Sequence, residues 1–131
     1  MARRSYGLIT ITEKGDFHNT EKYLRSLSEG DVLAVLERYG NLGANALSNA
    51  TPRESGETAG SWYYTTVRRK GYYSIRWHNR HIEDGVNIAV ILQYGHGTRN
   101  GGYVQGRDYI NPAIRPIFDQ ISAEADKALR G

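Results

Sequence analysis

Cysteine does not occur in the chain, which excludes disulfides, thiolate nucleophiles and Cys-type zinc sites. A reducing cytoplasm is compatible with that composition. Long apolar runs are also missing, and no stretch approaches the roughly 18 residues that a membrane span needs. Met1-Ala2-Arg3-Arg4-Ser5 has no apolar h-region behind it, so no signal peptide is expected. Charge of one sign is scarce. The net charge is +3, which a solvated surface accounts for, and which also suits an acidic protein surface or nucleic acid. What is present suits a single domain over residues 1–131 with one core. Hydrophobic residues make up only 39%, but ten Tyr and two Trp add buriable area.

Residues 6–12, Y-G-L-I-T-I-T, are short and β-branched and predict a strand, followed by turn chemistry at Glu13-Lys14-Gly15-Asp16. Asn19 or Thr20 can cap a first short helix carrying Tyr23, Leu24 and Leu27. From Asp31, the spacing of Val32, Leu33, Leu36, Tyr39, Ala46, Leu47 and Ala50 predicts a long helix to about residue 50. Gly40 and Gly43 in its middle allow close packing or mark a kink. Thr51 to Thr58 reads as a loop, opened by Pro52.

Residues 61–79 predict a β-hairpin turning at Lys70-Gly71. Setting Arg69 opposite Tyr72 places Tyr64 opposite Trp77, Thr66 opposite Ile75 and Arg68 opposite Tyr73. One face then collects Trp62, Tyr64, Thr66, Tyr73, Ile75 and Trp77, and the other Thr65, Arg69, Ser74 and Arg76. The apolar run 86–94 is read as a helix rather than a strand. Residues 95–108 contain five Gly and read as a long exposed loop, of the kind that is functional or disordered. Asn111 is the expected N-cap and Pro112 the first helical position of a terminal helix. Its apolar stripe is Ile114, Ile117, Phe118, Ile121, Ala125, Ala128 and Leu129. The order is β-α-α-β-β-(α)-loop-α. The expected class is α+β: a small antiparallel β-sheet packed against a long helix and a C-terminal helix, with an extended Gly-rich loop.

Residues that could carry chemistry are few. His78-Asn79-Arg80-His81 with Glu83 and Asp84 is the one dense polar cluster. A metal nuclease would need such ligands to converge on one ion. His78 and His81 have odd spacing and point to opposite faces of a strand, so a solvated strand end is the expectation. Gly95-His96-Gly97-Thr98-Arg99-Asn100-Gly101-Gly102 looks like a phosphate loop but lacks the G-K-[ST] ending and a helix directly after it. Ser55 and Ser61 sit in no G-x-S-x-G elbow. No catalytic residue, metal site or cofactor is expected. The hairpin is a different matter. Residues 61–80 hold Arg68, Arg69, Lys70, Arg76 and Arg80, with no acidic residue, interleaved with aromatic rings. That pattern suits DNA phosphates or an acidic partner, while the register commits most rings to the core rather than to base stacking.

With these residues in view, the chain resembles the tail-completion, or head–tail joining, proteins of long-tailed bacteriophages. The resemblance rests on I-T-I-T-E-K-G near the N-terminus, on T-P-x-x-S-G at 51–56 with Ser61-Trp62 beyond it, and on I-A-x-x-L-Q-Y-G-H-G-T at 88–98 followed by Y-I-N-P-A-I-R-P-I-F at 109–118. Relatives often carry Glu where this chain has Gln93 and an aliphatic residue where it has Thr58. The resemblance implies a virion protein of the neck or tail. It would form a homo-oligomeric ring, a hexamer, between the head-side connector and the tail tube, around the DNA passage and without enzymatic activity. It implies interface roles for Tyr94, His96, Thr98, Arg99, Tyr103, Gln105 and Arg107, and contact with DNA or an acidic partner for Arg68, Arg69, Lys70 and Arg76. The alternatives are a tail terminator capping the tube and a small nucleic-acid-binding protein using the hairpin 61–80.

Overall fold

The computed structural model describes residues 18–52, 56–69 and 72–130. The expected strand 6–12, the turn after it and Lys70-Gly71 lie outside them. The architecture is α+β. Helix α1, His18–Arg25, leads to α2, Glu29–Ala50. The expected start at Asp31 moves back two residues because Ser28 is the N-cap, its hydroxyl accepting from the Asp31 N–H at 3.1 Å. Gly30 sits in the first turn, where the backbone is not yet committed to intrahelical bonds. Helix α2 stops before Pro52. Thr51 caps its end through its N–H and hydroxyl, both donating to Leu47 O.

Thr51 Oγ1 also accepts from Trp62 Nε1 at 2.9 Å, fastening the start of strand β1, Trp62–Arg69, to the end of α2. Strand β1 pairs antiparallel with β2, Tyr72–Asn79, in the register set out above, Tyr64 opposite Trp77 and Arg69 opposite Tyr72. The aromatic face packs on α2. Gly40 and Gly43 are seats rather than a kink: the Tyr64 ring lies on Gly40 and the Trp77 ring on Gly43, with no room for a Cβ at either. Trp77 is fully buried, donates from Nε1 to Gly40 O at 2.9 Å, and meets the edge of Phe118.

Between α2 and β1, the segment read as a loop contains a single helical turn, α3, Gly56–Ala59. After β2 comes a second, tiny hairpin, β3, Ile82–Glu83, with β4, Val86–Asn87, turned at Asp84 and Gly85, both at positive φ. Asp-Gly is a strong two-residue turn signal. Asn87 then caps α4, Ile88–Tyr94.

The expected irregular loop 95–108 is in large part a ribbon. Strand β5, Gly95–Gly97, pairs with β6, Tyr103–Gln105. The last helix, α5, runs Ile110–Arg130. Asn111 is therefore inside it, not its cap, and Pro112 is not its first residue. Its stripe buries Ile114, Ile117 and Ala125, with Phe118 and Ile121 packed against the core. It ends there, since Ala128 and Leu129 are exposed. Helix α5 is held to α1 and α2 by Glu124, which takes bonds from Arg38, Tyr23 and Tyr39. Burial and the neighbouring Glu124 carboxylate push both tyrosine pKa values up.

Candidate functional site

Three surfaces hold the chemistry-bearing residues. The first is the β5–β6 ribbon. Its base is tight because Gly95, at φ 83°, and Gly106 meet backbone to backbone. Arg107 N–H donates to Leu92 O at 3.0 Å. Beneath it lies Gln93, a buried side chain on the last turn of α4. Its Oε1 accepts from the N–H groups of Tyr109 and Ile110, both at 3.0 Å, and its Nε2 donates to Asp108 Oδ1 at 2.7 Å. Asp108 also accepts from the Asn111 backbone and side chain. Gln93 above all, and then Asn111, hold the Asp108 carboxyl below the usual carboxylate range. The free N–H groups that open α5 are thus capped partly from another helix, by Gln93, and partly by Asp108 just ahead of it.

The ribbon brings the expected interface residues together. Tyr94 is 70% exposed, Tyr103 63% and Val104 46%. Tyr103, opposite Gly97 near the tip, reaches back along the ribbon to donate its hydroxyl to Tyr94 O at 2.8 Å. Thr98 holds the tip: its N–H bonds Gly102 O, and its hydroxyl accepts from Gly102 N–H. Arg99, Gln105 and Arg107 are exposed. His96 differs from the expectation, being half-buried opposite Val104, with Nδ1 shut away from solvent.

The second surface is the face of the β1–β2 hairpin turned away from α2. Arg76 and Arg80 are exposed on it. Arg68 and Arg69 are placed by their backbone pairing alone, and Lys70 lies outside the described residues. Tyr63 is not an open stacking platform. The Arg80 guanidinium lies 3.8 Å from its ring centroid and the His78 ring 4.9 Å away. His78, expected at a solvated strand end, is buried at 4% exposure, as is Asn79 at 0%. His78 Nε2 bonds Thr65 Oγ1 at 2.8 Å while Nδ1 has no partner. Burial first, then the charges of Arg76 and Arg80, push its pKa down.

The third surface is the far side of the same strand end. The strand does end between His78 and His81, yet the two rings do not converge. His81 turns toward α3, its Nδ1 bonded to Thr58 Oγ1 and its Nε2 3.0 Å from Glu83 Oε1 and 3.3 Å from Glu57 Oε2. Glu57 had no part in the expected cluster, because nothing in the sequence tells that α3 lies beside residue 81. The Asp84-Gly85 turn was the available signal for Glu83.

No family model, curated protein or solved structure matches the chain. Among the described residues, no helix is long and apolar enough to cross a membrane.

Proposed function

We propose that this chain is a non-enzymatic structural subunit of a bacteriophage neck. It would form a closed ring, a hexamer, that joins the tail tube to the head-side connector around the DNA passage. The observation that carries this reading is the β5–β6 ribbon: a short arm with a rigid base and exposed Tyr94, Tyr103 and Val104. Among the described residues, neither of its strands has a second neighbour, so each leaves a backbone edge free to pair. Tyrosines held at low entropic cost are typical interface anchors, and a free strand edge accepts an added strand. An arm on one side of a subunit that docks on a different patch of the next is a heterologous contact, and such contacts make a ring when the rotation between subunits closes. Exposed Arg76 and Arg80 suit a face turned to DNA phosphates. The sequence resemblance to tail-completion proteins supplies the location in the virion.

Light scattering of the purified protein, alone and with the products of adjacent genes, tests this. A closed oligomer, or one that appears when a neighbour is added, is expected. A monomer that stays monomeric with every neighbour, and shifts only with DNA, would replace this reading with a nucleic-acid-binding one.

A further inference from the structure

We propose that Glu57, His81 and Glu83 form a binding site for a divalent transition-metal ion of the zinc type, joining α3 to the β3–β4 hairpin. The proposal is independent of the neck reading. The three ligand atoms lie within 4.8 Å of one another, and the two distances from His81 Nε2 are 3.0 and 3.3 Å. Two ligands on a tetrahedral ion with bonds of about 2.1 Å stand about 3.4 Å apart, so both carboxylates already sit near that spacing from His81 Nε2.

The cluster is more than two exposed acids. The His81 side chain retains only 9% of its exposure, and its setting consists of fully buried polar residues. Thr58 Oγ1 bonds Nδ1, Asn79 Oδ1 accepts from the His81 backbone N–H at 2.9 Å, and Asn79 Nδ2 donates to Thr58 O at 2.8 Å. Burying polar groups is costly unless each is satisfied. These satisfy one another in an arrangement that fixes the imidazole and aims Nε2 at the carboxylates. A partner on the second nitrogen is the usual companion of a ligating histidine, setting its tautomer and ring orientation. With Nδ1–H donated to Thr58, Nε2 presents a lone pair. Even with the proton on Nε2, one N–H faces two carboxylates, so one acceptor and its charge remain uncompensated. A dication compensates both. A nitrogen ligand with two oxygens favours zinc-type ions over magnesium, which prefers an all-oxygen shell. Three protein ligands leave a fourth position for water or for a donor from another molecule.

The test starts from chelator-stripped protein, with zinc titrated against a chromogenic chelator and cobalt(II) used as a spectroscopic probe. One zinc per chain is expected, with a visible cobalt band and no competition from millimolar magnesium. The double variant Glu57→Gln/Glu83→Gln keeps hydrogen-bonding groups at two exposed positions and so retains the fold, checked by circular dichroism. It should bind zinc at least tenfold more weakly and lose the band. Equal binding by wild type and variant would assign the metal to other histidines and overturn the proposal. So would a wild type that takes up no zinc, which would leave the cluster as an imidazole hydrogen-bonded between Thr58 and the carboxylates.

Discussion

Trp77 shows how much one residue can carry. It sits on Gly43, donates to Gly40 O and meets Phe118 at its edge. Trp77→Ala removes the filling of the core at the helix–hairpin seam and leaves a buried carbonyl without its donor. The expected loss is ~3–5 kcal/mol in urea unfolding, as for other large-to-small changes at buried aromatics. Unchanged stability would mean that the ring is not buried. His78 acts in the other direction. Its folded pKa is depressed below the ordinary value near 6.5, by burial and by Arg76 and Arg80. In the pH range between the lowered folded value and 6.5, the unfolded chain binds the proton and the folded one does not. Its contribution is therefore complete above about pH 6.5 and is lost as pH falls through that window. His78→Gln should flatten the decline in thermal stability between pH 7 and pH 5. An equally steep decline in the variant would show that other groups cause it.

At the scale of elements, the ribbon and the last helix are built around shared residues. Deleting residues 98–106 leaves Gly95, His96 and Gly97 to bridge from Tyr94 to Arg107, whose anchor on Leu92 remains. None of the deleted side chains belongs to the core. The variant should fold with near wild-type circular dichroism and fail to join heads to tails in an assembly assay. Infectious particles carrying it would refute the interface role of the ribbon. What the sequence disclosed about these elements follows the range of the interactions involved. The β1–β2 register was legible because alternation over two strands sorts rings from charges whatever else the chain does. Helix α2 was legible from its periodicity, its start shifted by the Ser28 cap. The ribbon was not, since its strands are three residues each and carry no alternation. The cap of α5 was not either. Asn111 has the right local chemistry, but Gln93, distant in sequence, reaches the N–H groups first. Asp108, three residues before Asn111, is the local mark of this cap, while the part that Gln93 supplies from another helix leaves none.

Over the whole molecule, the helices and the β1–β2 hairpin form the body among the described elements. Helix α2 is the shared platform, with the β1–β2 hairpin against its glycines and α5 joined to it through Glu124. The α+β class was readable from the order of periodic segments alone. The third surface was not. Glu57 lies before the hairpin and His81 and Glu83 after it, and they meet only because β2 returns the chain beside α3. Contacts of that kind are a property of the fold, while His78 and His81, three apart in sequence, end up on different surfaces.

The tie between Gln93 and Asp108 has a consequence for how such a protein can diversify. The chain leaves the body at Tyr94 and re-enters it at Arg107 through a clasp closed by Gln93, Asp108 and the Arg107 N–H bond to Leu92 O. Everything beyond the clasp is an interchangeable cassette. Its length, its tip and its side chains can change without emptying the core, while the residues of the clasp itself answer to folding.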